Sequence, residues 1–234
     1  MPARPLHSRL PKRRRLLEKL EPRHLLTAAP AAAGDDLSAL LSRGTVCSCP
    51  ICSGVGLDQI PVMESGGSGP AGASPLSSLP QLHSNAGATA RLFLDFNGHF
   101  QATWGDWNNA TTPVYDQDGD ATTFSNGELA SIVEIWTRVA EDFAPFNIDV
   151  TTVDPGGQAN QVVARIAIGG NWSDWYGSTS GGVAYVGGFY NPAPNVGYVF
   201  ENALGNGNAK FVAEAATHEA GHLFGLQHQA LWSG

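Results

Sequence analysis

Hydrophobic residues recur with the two-residue period of a β-strand at several places after residue 90. Leu92, Leu94 and Phe96 alternate with other residues, and strands are also predicted over 147–152 and 162–168. Successive side chains of a strand point to opposite faces of its sheet, so such a segment can present one apolar face to a core. We therefore expect a sheet built from these segments.

Two other segments carry apolar residues at the three- and four-residue spacing of a helix. The first begins at Ser125 or Asn126 and continues to about Phe143. The second covers 209–224, is rich in alanine and free of proline, and follows Asn208, a residue type that favours the N-cap position. Both are long enough to form amphipathic helices with one apolar face.

The remaining parts of this region are predicted to be loops and short extended segments. Residues 96–113 form a polar loop that contains tryptophans, and 181–202 form two extended segments around a proline-rich turn. The order is strand, helix, strand, strand, two extended segments and a final helix. This order predicts an α+β fold for a domain that covers 89–234.

The N-terminal third has a different composition and is predicted to be mostly disordered. Between residues 54 and 88, glycine, serine, proline and alanine dominate, which is typical of a linker. Residues 1–33 contain a basic stretch and then an apolar run that is too short to span a bilayer. We therefore divide this third into a basic export or sorting segment at 1–33 and a cysteine-containing pro-segment with its linker at 34–88.

Residues 20–26, LEPRHLL, resemble the L-E-P-R-x-L-L segment found near the N-termini of large exported bacterial proteins. The resemblance implies a sorting signal, and the small residues Ala31 and Ala33 could suit cleavage. A solvated basic tail is the alternative. The predicted location is extracellular or at the cell surface.

Three cysteines, Cys47, Cys49 and Cys52, lie close together in the pro-segment. An odd number of cysteines cannot pair completely within one chain. One thiolate could occupy an open position on a zinc ion and keep a precursor inactive, because thiolates are good zinc ligands. A partial metal-binding knuckle and a feature of the export region are the alternatives, and the spacing leaves all three open.

The charge of the chain changes sign along its length. From Gly87 onward there are 15 Asp and Glu residues against 4 Lys and Arg residues. Such an acidic surface argues against nucleic acid as a partner, because phosphate binding requires a basic one.

Asp116, Asp118 and Asp120 could converge on a hard cation such as calcium. A solvated acidic turn is the alternative, because the glycine and glutamate positions differ from those of a helix-loop-helix calcium site.

The segment HEAGHLFGLQH matches the extended zinc-protease signature H-E-x-x-H-x-x-G-x-x-H at all five specified positions. His218 and His222 lie one helical turn apart and can share a metal ion. Gly225 allows the helix to end, so that His228 can return as a third ligand. Glu219 is placed beside the metal, where it could take a proton from a bound water and pass it to a leaving amine.

The motif and the order of the elements resemble the metzincins, a family of zinc endopeptidases, with the closest likeness to matrixins and similar bacterial enzymes. The resemblance covers about 91–228 and implies a twisted mixed sheet with one long helix and an active-site helix. It also implies a substrate-binding edge strand, whose backbone groups would pair with an extended peptide. That strand would consist of Gly182, Val183, Ala184, Tyr185 and Val186.

The function that this resemblance implies is that of a secreted, zinc-dependent endopeptidase acting on proteins or peptides. The methionine-bearing turn of the family has no counterpart before Gly234, because the methionines are Met1 and Met63. The sequence therefore predicts a truncated catalytic domain, or a fragment of a longer chain with further domains. The alternatives are an inactive fragment and a non-catalytic adhesion or surface module that keeps the fold.

Overall fold

The computed structural model of the protein describes residues 73–228. The export segment, the three cysteines and most of the predicted linker lie outside these residues. Within them, the strands are β1 Ser74–Pro75, β2 Ala90–Asp95, β3 His99–Trp104, β4 Trp107–Thr112, β5 Thr123–Phe124, β6 Ile148–Thr151, β7 Val163–Ile168, β8 Gly182–Val183 and β9 Val196–Val199. The helices are α1 Asn126–Phe143 and α2 Ala209–Leu223, with short 3-10 helices at Leu76–Ser78, Trp172–Asp174 and Glu201–Ala203.

A five-stranded sheet in the order β6-β2-β7-β9-β8 forms the centre of the fold. Its first four strands run parallel, and β8 pairs antiparallel with β9. The central strand β7 is buried along its whole length, as expected for a parallel strand that is covered on both faces. This mixed sheet, together with the two helices, confirms the predicted α+β class.

The two helices and one face of the sheet enclose the larger core. Leu92, Leu94 and Phe96, whose alternation predicted β2, are all fully buried there. The helix α1 begins at a capping box, in which the Ser125 hydroxyl accepts the N–H of Glu128 and the Glu128 carboxylate accepts the N–H of Ser125. Both helices begin where the sequence predicts. Neither of these two helices is long and apolar enough to cross a membrane.

The opposite face of the sheet carries a second, largely aromatic cluster. Its buried members are Trp104, Ala110, Ala167, Tyr176, Val183, Tyr185, Ala193, Val196, Tyr198 and Phe200. Rings in this cluster contact one another mainly in tilted and edge-to-face arrangements, which aromatic pairs prefer. The cluster therefore packs β8, β9 and the segment before β8 into one unit.

The segment predicted as a polar loop is a β-hairpin that contributes to this cluster. The strands β3 and β4 pair antiparallel, with Trp104 opposite Trp107. Gly105 has a φ of 57° and supplies the left-handed conformation needed at the first position of a two-residue turn. The indole N–H of Trp104 donates to the carbonyl oxygen of Val196 at 2.8 Å, which ties the hairpin to β9. The loop prediction was wrong because most polar residues here lie on the exposed face of the hairpin.

Residues 80–85, which we name the N-terminal strap, also differ from the prediction, because they pack on the domain instead of forming a linker. The N–H of Thr152 donates to the carbonyl oxygen of Leu82 at 3.2 Å, and the N–H of Ser84 donates to that of Val150 at 3.0 Å. The outer strand of a sheet has one row of backbone N–H and C=O groups with no neighbouring strand. The strap forms hydrogen bonds with such groups of β6 and of Thr152, the residue after it. The folded part of the chain therefore begins before the predicted boundary.

Candidate metal centre

The C-terminal end of α2 brings the three histidines of the motif together. His218 and His222 lie one turn apart near the end of this helix. Gly225 follows the helix with a φ of 95°, a conformation that residues with a β-carbon rarely adopt. The chain reverses there, and His228 returns beside the other two imidazoles.

The three imidazoles direct nitrogen atoms at one point. The Nε2 atom of His218 lies 3.0 Å from Nε2 of His222 and 3.0 Å from Nε2 of His228. A tetrahedral zinc site with Zn–N bonds of about 2.1 Å separates its ligand nitrogens by ~3.4 Å. A small outward movement of the rings would therefore let them share a zinc ion, and the triad could hold a metal.

The protonation of the histidines also suits a metal. The Nδ1 atom of His222 lies 2.8 Å from the carbonyl oxygen of Leu226; since a carbonyl only accepts, Nδ1 carries the proton and Nε2 offers its lone pair. Burial, together with the neighbouring His222 and His228, lowers the pKa of His218 to about 4. Burial also lowers the pKa of His222. Imidazoles that are neutral at neutral pH are in the form that binds metals.

Glu219 extends from α2 toward β8. The residue is 0% exposed, and burial raises the pKa of its carboxyl to about 8. Its side chain lies against the backbone of Gly182. A carboxyl that titrates near neutral pH can both accept and return a proton, which is the property required of a general base.

The strand β8 lies at one end of the sheet and is shorter than the predicted edge strand. Only Gly182 and Val183 pair with β9, and residues 184–186 leave the ladder. A β-carbon built on Gly105 would lie 1.5 Å from the hydroxyl oxygen of Tyr185, so this ring packs directly on the turn of the hairpin. Tyr185 thus packs against the hairpin at the point where residues 184–186 leave the sheet.

The outward backbone groups of Gly182 already have hydrogen-bond partners. The N–H of Phe200 donates to the carbonyl oxygen of Gly181, so the next pair, Gly182 and Val199, is of the kind whose peptide groups face away from each other. The Ser180 hydroxyl donates to the carbonyl oxygen of Gly182 at 2.5 Å and accepts its N–H at 3.3 Å. A peptide that pairs with β8 at this position must displace that hydroxyl.

The acidic turn brings together a different set of carboxylates from the predicted one. Asp116, Asp118 and Glu128 have oxygens within 4.8 Å of one another. Asp120 instead accepts hydrogen bonds from the two threonine hydroxyls that follow it. A calcium site formed by the three aspartates is therefore not supported. Sequence reasoning missed Glu128, although the S-x-x-E pattern that begins at Ser125 marks it as a capping residue.

A second buried carboxyl lies next to the acidic turn. Glu201 is 1% exposed, and its Oε1 atom accepts the backbone N–H of Asp116 at 2.9 Å and of Gly170 at 3.2 Å. Burial is the largest of the causes that raise its pKa to about 8. The residue also accepts the N–H of Gly207 through its own carbonyl oxygen, so it joins three loops.

A family model for the reprolysin-like metallopeptidases of family M12B matches residues 145–229. The matched residues include α2 and all three histidines. No curated protein and no solved structure matches the chain. The family match supports a zinc metallopeptidase in general. It does not test the sorting segment, and the closer likeness to matrixins stays a prediction.

Proposed function

We propose that this protein is a secreted, zinc-dependent endopeptidase. The observation that carries the proposal is the convergence of three imidazoles, those of His218, His222 and His228, at the end of the helix that carries the buried Glu219. The match to a metallopeptidase family over residues 145–229 supports it. A peptidase of this kind acts on proteins or peptides.

Each residue of the centre has a role that its geometry suits. The three histidines would hold the metal through their Nε2 atoms, and the hydrogen bond from His222 to Leu226 fixes the orientation of one ring. A bound zinc ion polarises a carbonyl group and makes water more acidic. Glu219 accepts the proton of the attacking water and returns it to the amine nitrogen that leaves. Its raised pKa allows the carboxyl to hold that proton between the two transfers.

The substrate would lie along β8 in an extended conformation. The N–H and C=O groups of Gly182 face away from β9, so a peptide could bond to them after displacing the Ser180 hydroxyl. Pairing through backbone groups supplies affinity that is largely independent of the substrate sequence. The side chain of Glu219 packs against this same glycine, which would bring the scissile bond close to the general base.

Digestion of casein or gelatin by the purified chain tests the proposal. We expect cleavage that a chelator abolishes and zinc restores. Glu219→Ala should keep zinc but lose cleavage, because the variant has no group to take the proton. Glu214→Ala, which changes an exposed glutamate of the same helix, should retain both. Zinc binding without chelator-sensitive cleavage would favour the alternative, a non-catalytic adhesion or surface module.

We also propose that residues 1–33 direct export of the chain. Support comes from their basic charge and from the likeness of LEPRHLL to a sorting segment. In a bacterial host, the full chain should reach the cell surface or the medium, whereas a chain that lacks 1–33 should remain inside the cells. Equal distribution of the two chains between the fractions would refute this role.

A further inference from the structure

The helix α2 and the strand β8 approach each other most closely at Gly182 and Glu219. A β-carbon built on Gly182 would lie 2.8 Å from Cγ and 2.8 Å from Oε1 of Glu219. It would also lie 2.9 Å from the carbonyl oxygen of Tyr198. Real β-carbons essentially never come this close to other heavy atoms, so the side chain of Glu219 occupies space that any other residue at position 182 would fill.

The backbone conformation does not explain why a glycine stands at this position. Gly182 is not among the described glycines with positive φ, and it pairs with Val199 in a regular antiparallel ladder. Glycine weakens a strand interior, because it has no side chain to pack and loses more entropy on folding. Two close contacts remain as the explanation: the space that the glycine leaves open toward Glu219, and the nearby carbonyl oxygen of Tyr198.

This packing restricts the direction in which the Glu219 carboxyl can lie. The residue is 0% exposed, so its side chain is enclosed and cannot adopt other rotamers without displacing its neighbours. The backbone of Gly182 forms one of the surfaces that enclose it. The neighbouring residue His218 carries one of the three nitrogens of the metal centre, so a shift of Glu219 changes its distance from that centre.

We propose that Gly182 is a positioning residue: the absence of its side chain leaves the space that the Glu219 side chain occupies and so fixes the place of that carboxyl relative to His218 and to β8. The catalytic part of this inference rests on the proposed endopeptidase function. The packing part does not, because the contact between the two residues exists whether or not the protein cleaves peptides.

Kinetics of Gly182→Ala test the catalytic part. The added methyl group should push the carboxyl aside, and a misplacement of this kind lowers kcat by about 10²-fold. KM should change little, because alanine keeps the backbone groups of β8, and the zinc content should stay that of the wild type. The matched control is Gly197→Ala in β9, whose β-carbon would meet Ile166 at 2.9 Å and whose three nearest atoms all belong to residues other than Glu219. Equal losses of kcat in the two variants would overturn the proposal.

Thermal unfolding of the metal-free chain tests the packing part without any activity. Overpacking by Gly182→Ala should lower Tm by about 2–12 °C in the wild-type background. In a Glu219→Ala background the same change should lower Tm clearly less, because the crowded side chain is gone. Gly197→Ala should lower Tm equally in both backgrounds.

The two measurements separate the failure of each proposal. If wild-type protein shows no chelator-sensitive cleavage but the Tm losses differ between the backgrounds, the endopeptidase proposal fails and the contact stands. If the Tm loss from Gly182→Ala is the same with and without the Glu219 side chain, the positioning role of Gly182 is refuted, whatever the activity.

Discussion

Glu219 and Glu201 are buried to nearly the same degree but lie in different surroundings. They are 0% and 1% exposed, and burial is the main reason that the pKa of each carboxyl rises to about 8. Glu201 accepts two backbone N–H groups and joins loops, whereas Glu219 packs against Gly182 and follows His218, one of the three clustered histidines, in α2. A raised pKa therefore does not identify a catalytic carboxyl by itself; the neighbouring groups determine what the proton can be used for.

Replacement of each carboxyl by an amide should give the largest difference between the two regions. Glu219→Gln should lower kcat by about 10²–10⁴-fold, because an amide cannot accept the proton. Glu201→Gln should leave kcat nearly unchanged, since an amide oxygen can still accept the same backbone N–H groups. Steady-state rates on a quenched fluorescent peptide measure both. Similar losses of kcat in the two variants would show that the two carboxyls do not differ in their roles.

The dependence of stability on pH should show a smaller effect, to which both buried carboxyls contribute because the pKa of each is raised to about 8. The folded protein holds a proton on Glu201 up to a pH of about 8, whereas the unfolded chain releases it near 4.5. At this carboxyl the folded state therefore binds more protons between these values, and the contribution of Glu201 to stability falls as pH rises, by at most about 1.4 kcal/mol per pH unit. Glu201→Gln should flatten this part of the profile in urea unfolding experiments. If the unfolding free energies of wild type and variant had the same pH dependence, the pKa of Glu201 would not be raised in the folded protein.

Substitution of Ser180, which lies near Gly182 and Glu219, should give the smallest effect, and this effect should be on KM. Its hydroxyl bonds the backbone groups of Gly182 that a substrate strand would use. Ser180→Ala removes this competition, and one hydrogen bond corresponds to a decrease in KM of about 2–10-fold. Ser173→Ala, at an exposed serine, is the control and should leave KM unchanged. An unchanged KM in Ser180→Ala would place the substrate away from Gly182.

Features that depend on local sequence were predicted well. The helix α1 begins at Asn126 because the Ser125 capping box fixes that end, and α2 begins after the N-cap residue Asn208. The histidine triad was predicted for the same reason, since a helical turn and a glycine reversal determine its geometry. The alternation around β2 correctly marked Leu92, Leu94 and Phe96 as core residues, although Phe93 and Asp95 between them are buried as well.

Features that depend on distant parts of the chain could not be predicted in this way. The pairing of the N-terminal strap with β6 joins residues more than 60 positions apart, and its sequence has the composition of a linker. The contact of Gly182 with Glu219 depends on the packing of a helix on a strand, which no local pattern encodes. The hairpin β3–β4 is an intermediate case, because Gly105-Asp106 between two tryptophans was a recognisable turn signal.

The N-terminal strap also affects how the protein behaves at high concentration. A sheet with an uncovered outer strand can add strands from other molecules and so aggregate. The strap covers the β6 end of the sheet, and at the opposite end the Ser180 hydroxyl occupies the outward groups of Gly182. A chain shortened to begin after Asn85 would expose the β6 edge and should self-associate, which light scattering would detect. The two outer edges of the sheet are therefore covered by different means, the β6 edge by a backbone segment and the Gly182 position of β8 by a single hydroxyl group.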